Sequence, residues 1–374
     1  ADDCYIVASE PYGVVEETSK YVRMDGEQGG EIVVLDGADA GDLDGIVRLA
    51  YDGSALPVTP ADVVTAEVTT RDINRGDAPH FLLKEISEAP LSFAKTLRGK
   101  IVERDGLLRA DVGQRALPAD VAARLAAGTI TRVRVIGQGT AAVAGQSTAA
   151  ILDELTDARL DVDAITATEL SGFAMRLDMS DTLAIAVSQS GTTTDTNRTV
   201  DLLRSRGAAV IGIVNRRSSD LTDKADGVLY TSDGRDVEMS VASTKAFYAQ
   251  VAAGALLSCA IAEATGIGDA RRRSDLLTSL RELPDAMREV LTRRDVIADA
   301  ARRFAPPKRY WAVVGNGPNK VAAEEVRIKL SELCYKSMAC DSTEDKKHID
   351  LSSEPLILVC AAGLVGSTAD DVAK

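Results

Sequence analysis

The chain has 374 residues, 45% of them hydrophobic, enough to bury a full core and long enough for two or three domains. A formal net charge of −14 gives no cationic surface for counterion release, which argues against nucleic acid and anionic membranes as partners. With no run of about 18 apolar residues and no basic then apolar leader, the sequence reads as a cytoplasmic protein.

Five cysteines (Cys4, Cys259, Cys334, Cys340 and Cys360) are scattered and odd in number, as expected of free thiols in a reducing compartment. The two histidines, His80 and His348, stand far apart and no Cys/His cluster has metal-ligand spacing, so neither a metal nor a cofactor is expected.

In chain order, Cys4–Val7, Tyr21–Met24 and Glu31–Leu35 alternate apolar and polar positions and predict short antiparallel strands. Residues 37–79 mix Gly, Asp and Pro with little period, as a linker does, and His80-Phe81-Leu82-Leu83-Lys84-Glu85-Ile86 opens an amphipathic helix. From about residue 120, β-branched runs at Arg132–Ile136, Leu183–Val187, Ala209–Val214 and Gly227–Tyr230 alternate with helix-length segments. That alternation predicts an α/β fold, a parallel sheet with helices on both faces. A charged helical run over Leu276–Phe304 leads to a second such unit. It has a strand at Arg309–Val314, a helix from about Asn319 to Met338 and an apolar run at Leu356–Cys360. The second unit is half the size of the first, so the sequence is expected to begin and end inside a larger protein.

The stretch Ser188-Gln189-Ser190-Gly191-Thr192-Thr193-Thr194-Asp195-Thr196 joins a strand to a helix. Such a turn offers backbone N–H groups and hydroxyls at a helix N-terminus and can hold a phosphate without a basic residue. The same residues also suit a plain N-capping turn. Gly137-Gln138-Gly139-Thr140 and Val241-Ala242-Ser243-Thr244-Lys245 are similar turns, and three of them at the carboxyl ends of parallel strands converge on one crevice. Ala142 stands where a dinucleotide fingerprint has its third glycine, which favours a small phosphate over a pyrophosphate. Lys329 and Glu332 share a helix face at i, i+3, as a surface ion pair does. His348 lies in the polar segment Asp341–Asp350, where a solvated loop histidine is the ordinary reading. A sugar isomerase, however, needs a carboxylate to move a proton between C1 and C2 and often a histidine to open the ring.

Together, the Ser188–Thr196 turn, Val241-Ala242-Ser243-Thr244-Lys245-Ala246-Phe247 and Lys329-Leu330-Ser331-Glu332-Leu333-Cys334-Tyr335 resemble the sugar-isomerase (SIS) half of the glutamine–fructose-6-phosphate aminotransferase family. Lys84-Glu85-Ile86 with Glu88 and Pro90 resembles the helix that enters that half. The resemblance implies a three-layer αβα fold with a five-stranded parallel sheet and two SIS units, the second incomplete, after a short N-terminal β remnant. In that scheme residues 1–36 end a glutaminase-like domain, 37–89 form a linker region, 90–290 the first SIS domain and 291–374 the second. It also implies Thr140, Ser188, Gln189, Ser190 and Thr193 around a sugar phosphate, with Val241 and Ser243 opposite. Glu332 then falls on the proton-transferring carboxylate, Lys329 on the lysine beside it and His348 on the ring-opening histidine. In the family the neighbouring subunit supplies that histidine, so a homodimer or higher homo-oligomer is implied. Ammonia would come from glutamine through a domain outside this sequence, as would the imine-forming lysine.

The family segment Gly-Glu-Leu-Lys-His-Gly-Pro is here Glu344-Asp345-Lys346-Lys347-His348-Ile349-Asp350, which keeps the Lys-His pair. Thr192 replaces a glutamate and Ala141 a hydroxyl residue, changes that can alter which sugar phosphate fits. Cys4 does not match the glutaminase nucleophile, because Tyr5 stands where that family has glycine. Two other readings remain: a glutamine-independent sugar-phosphate isomerase or deaminase, and a non-catalytic module that binds a sugar phosphate.

Overall fold

Four short strands early in the chain pair as two antiparallel ribbons. β1 (Lys20–Val22) pairs with β4 (Val63–Thr65), and β2 (Ile32–Leu35) with β3 (Ile46–Leu49). The computed structural model describes residues 4–8, 10–24, 30–66, 68–70, 72–347 and 353–364. It divides into two compact units, Ala1–Ala78 and Pro79–Lys374. Two differences from the sequence reading lie in the first unit. Cys4–Val7 forms no strand, and the segment read as a linker supplies the partners of both earlier strands.

The second unit opens with α1 (Phe81–Leu97), whose N-cap is His80: its Nδ1 accepts from the Leu83 N–H at 3.2 Å. A hairpin follows, β5 (Ile101–Arg104) with β6 (Leu107–Ala110). Asp105 and Gly106, both at positive φ, make its two-residue turn, the chemistry that suits the twist of the flanking strands. After α2 (Ala119–Ala126), the main sheet is built from β7 (Arg132–Gly137), β8 (Asp161–Thr166), β9 (Thr182–Ser188), β10 (Ala209–Val214) and β11 (Gly227–Tyr230). All neighbours are parallel, in the order β11-β10-β9-β7-β8. The four strands read from sequence match to within a residue at each end. The fifth, β8, escaped notice because Asp161, Asp163 and Thr166 interrupt its apolar residues, as an edge strand permits.

Side chains alternate across the sheet with period two. Val133, Val135, Ile185, Val187, Ile211 and Ile213 pack beneath α3 (Thr140–Leu155) and α7 (Lys245–Thr265). Ile136, Ala184, Ala186, Val210 and Val214 face the other way. There they meet the short turn α4 (Ala167–Glu169), α5 (Thr194–Ser205) and α6 (Asp220–Lys224).

Helix α7 is long and apolar enough to cross a membrane by composition, but it is a core helix. One side meets the sheet, and the other meets Phe93 and Leu97 of α1 and Leu277 and Leu280 of α8 (Ala270–Thr292). The run Leu276–Phe304 is two helices, α8 and α9 (Arg294–Phe304). A second parallel sheet follows, β12 (Trp311–Gly315) between β13 (Ala339–Asp341) and β14 (Leu356–Cys360), and it repeats the order β8-β7-β9. Helix α10 (Pro318–Cys334) crosses from β12 to β13 and packs on α3; α11 (Thr343–Lys347) follows β13. The sequence reading carried α10 on to Met338, but Tyr335 turns to positive φ and ends it.

Helices α3 and α7 approach closely where Gly254 faces Thr148; a Cβ on Gly254 would lie 2.0 Å from the Thr148 hydroxyl oxygen. Gly254→Val is therefore expected to cost about 2 kcal/mol by overpacking, read as a lower midpoint in thermal or urea unfolding. An unchanged midpoint would mean that this contact does not set the α3–α7 spacing.

Candidate functional site

In the main sheet the chain leaves β7 toward β8 on one side and leaves β9 toward β10 on the other. Helix α3 covers one face and α5 the opposite face, so a crevice opens beyond the carboxyl ends of β7 and β9. Open α/β sheets bind ligands at this kind of switch point.

The turn after β7 forms one wall. Gly139, at φ +55°, caps α3, and Thr140 is the first helical residue. The turn after β9 forms the other, and its own side chains shape it. The Ser188 hydroxyl is buried, accepts from the Gly191 N–H at 3.0 Å and lies 3.4 Å from the Thr193 hydroxyl. The Thr192 N–H and hydroxyl both donate to Ser190 Oγ, at 3.2 and 2.8 Å. From inside α5, Asn197 Nδ2 donates to the carbonyls of Gly191 and Thr193 at 3.0 and 3.2 Å. Gly191 has φ +70°, and a Cβ there would meet Ser219 Oγ at 2.0 Å, so only glycine fits. Buried Gln189 Oε1, Thr196 Oγ1 and Asn197 Oδ1 meet no donor among the described residues. The amides of the first turn of α5 are not used by the helix itself. The turn thus presents helix N-terminal amides and hydroxyls to a ligand.

The second sheet contributes through α10. Lys329 Nζ donates to Thr140 Oγ1 at 3.0 Å, and that hydroxyl donates to Glu325 Oε1 at 3.2 Å. Lys329 also pairs with Glu325 at 3.4 Å and with Glu332 at 3.2 Å. Thr140, Lys329 and Glu332, separated by nearly two hundred positions of sequence, therefore stand in one hydrogen-bonded cluster. Glu325 was missed by sequence reasoning, although its i, i+4 relation to Lys329 was there to be read. The residue is only 7% exposed, and burial raises its pKa from 4.5 to about 7, against the opposing pull of Lys329 and the Thr140 hydroxyl. Glu325 Oε2 is buried and meets no donor among the described residues. Tyr248, one turn into α7, has its pKa raised by burial and by the Glu325 carboxylate, which brings the start of α7 near this cluster.

The turn before α7 carries Val241, fully exposed, and Ser243, whose hydroxyl donates to Glu238 Oε2 at 2.9 Å. His348 lies outside the described residues.

Residues 130–260 match the SIS domain family. The chain is a SIS-domain protein. It is 32% identical over 325 residues to the glutamine–fructose-6-phosphate aminotransferase (isomerizing) of Thermus thermophilus, covering 85% of this chain and 51% of that relative. The Bacteroides thetaiotaomicron enzyme of the same name is 29% identical over 372 residues, covering 97% of this chain and 56% of its own length. The chain thus spans about half the length of the curated relatives it matches. Among solved structures, the C-terminal domain of glucosamine-fructose-6-phosphate aminotransferase from Francisella tularensis superposes with a TM-score of 0.67 at 22% identity. That match covers 76% of this chain and 77% of the other. Tagatose-6-phosphate ketose/aldose isomerase from Escherichia coli gives a TM-score of 0.58 at 18% identity, covering 79% and 76%. These two likenesses concern the fold.

The raised pKa of Glu325 has a consequence for stability. Between pH 4.5 and about 7 the folded protein keeps a proton that the unfolded chain releases, so stability falls as pH rises through that window. The expected size is on the order of 3 kcal/mol across the full window. Glu325→Gln keeps the neutral shape and is expected to flatten this part of the profile, with a higher unfolding midpoint than wild type at pH 8. Identical pH profiles of the two proteins would contradict it.

Proposed function

We propose that the chain carries the isomerase half of a glutamine-dependent fructose-6-phosphate aminotransferase that makes glucosamine 6-phosphate. The observation that carries this reading is the cluster of Thr140, Glu325, Lys329 and Glu332 at the mouth of a crevice whose other wall is the Ser188–Thr193 turn. One end of the crevice suits a phosphate and the other holds proton-transfer groups. The sequence relatives, which are glutamine–fructose-6-phosphate aminotransferases, support the same choice.

In this reading the phosphate sits on the amides and hydroxyls of the Ser188–Thr193 turn, with Gln189, Ser190 and Thr193 as direct contacts. Ser188 works mainly by holding Gly191 and Thr193 in place. Val241 and Ser243 lie on the opposite side of the sugar. Glu332 takes the proton from C1 and returns it to C2, converting the ketose-derived imine to the aldose amine. Lys329 lies between Glu332 and Glu325 and steadies the charge that moves. Glu325, with a pKa near 7, is placed to take or give a proton through the Thr140 hydroxyl. His348 as ring-opening group, a homodimer or higher homo-oligomer that supplies it and ammonia from glutamine enter through the family resemblance, and a cytoplasmic setting through the cysteine usage and the lack of a leader pattern.

Two measurements test this. Calorimetric titration with fructose 6-phosphate is expected to show binding that the Ser188→Ala/Ser190→Ala variant weakens by about a hundredfold, from loss of the Ser190 hydrogen bond to a charged group together with the Ser188 bond that holds the Gly191 amide. In turnover assays with fructose 6-phosphate and glutamine, Glu332→Gln is expected to abolish product while leaving sugar-phosphate affinity within a few-fold. Retained turnover would remove Glu332 from the mechanism, and absence of binding by wild type to fructose 6-phosphate and glucosamine 6-phosphate would sink the assignment.

A further inference from the structure

The segment between β11 and α7, which ends in the Val241–Ser243 turn, is tied along most of its length to one helix, α1. The Ser232 N–H donates to Thr96 Oγ1 at 2.9 Å, and its hydroxyl donates to the Ser92 carbonyl at 3.0 Å. Lys95 pairs with Asp236 at 3.1 Å. Lys245 Nζ meets Glu88 Oε2 at 2.6 Å, while Lys84 holds the other oxygen of Glu88 at 3.1 Å. Burial pushes the Glu88 carboxyl up, but the two ammonium groups more than reverse that and hold it below its usual value.

Between these ties sits Glu85. It lies at the N-terminal end of the buried stripe of α1, the stripe that continues through Ala89 and Phe93 to Leu97, and it is 1% exposed. A carboxylate on an apolar stripe is costly unless its oxygens are filled. Glu85 Oε1 accepts from the Met239 N–H at 2.5 Å, and both oxygens accept from the Ser240 N–H at 3.2 Å. These are the two residues immediately before Val241. On the far side of the turn, Glu238 closes the loop on itself by accepting from the Thr244 N–H at 2.7 Å and the Ser243 hydroxyl at 2.9 Å. The tip is thus held by one carboxylate from α1 and one from its own base.

We propose that Glu85 is a positioning residue for the sugar-phosphate crevice: by holding the Met239 and Ser240 amides it fixes the Val241–Ser243 turn in the shape that meets the ligand. This rests on the sugar-phosphate reading of the crevice. The helix that opens the second unit is then the strut of one ligand wall, and Glu85 sets its tip without touching the ligand.

The test uses Glu85→Gln, which keeps the shape of the side chain and one acceptor oxygen while losing the charge and the second acceptor. Amide hydrogen exchange without ligand is expected to speed up at least tenfold at Met239 and Ser240, with strands β9 and β10 unchanged. The dissociation constant for fructose 6-phosphate is expected to rise about tenfold. Exchange at Met239 and Ser240 that does not change, or that rises equally across the sheet, would overturn the proposal, as would wild-type affinity in a variant whose turn has loosened. If the wild-type protein binds no sugar phosphate while the variant still loosens the turn locally, Glu85 holds the turn as described and the sugar-phosphate reading is what fails.

Discussion

The order of strands in the main sheet is the constraint from which the site follows. Because β7 lies between β8 and β9, the chain must leave β7 and β9 toward opposite sides, and their turns cannot close over each other. The gap is a consequence of topology, and the residues in it specialise what topology provides. Gly139 and Gly191 sit at positive φ in the two turns, so that each helix begins immediately at the crevice. The helix that follows β7 and the helix that follows β12 then pack on each other, which brings Thr140 to Lys329.

Two buried carboxylates illustrate how the surroundings give one group different uses. Glu85 has both oxygens filled by backbone amides, which offset part of the burial that raises its pKa and make it a fastener for the loop. Glu325 has Thr140 and Lys329 on one oxygen and no donor among the described residues on the other, so its burial is met in part by a raised pKa. The first arrangement suits rigidity and the second suits proton traffic. Both depend on long-range contacts, since Glu85 meets residues about 150 positions away and Glu325 meets Thr140 at a separation of 185.

Much of this was legible in the sequence and some was not, for physical reasons. Strands β9, β10 and β11 announce themselves because both faces are covered and nearly every residue is apolar. Edge strand β8 carries Asp161 and Asp163, and its pattern reads as loop. The sequence marks Glu31–Leu35 as a strand, but its partner Ile46–Leu49 lies among Gly and Asp residues, and no local pattern announces the pairing. The hydroxyl-rich turns are visible from composition, whereas the part Ser188 takes in shaping its own turn shows only in the Gly191 N–H contact. Glu325 stayed hidden because burial, its distinguishing property, comes from α3 packing on α10, and no local pattern encodes that.

The central claim is that the crevice between the β7 and β9 turns holds a sugar phosphate, with its phosphate on the Ser188–Thr193 turn. A crystal structure of the protein with glucosamine 6-phosphate tests it most directly. The account predicts phosphate oxygens within hydrogen-bond distance of the Ser190 and Thr193 side chains and the adjoining amides, with C1 and C2 directed toward Glu332. A sugar bound elsewhere, or bound with its phosphate toward Lys329, would contradict it.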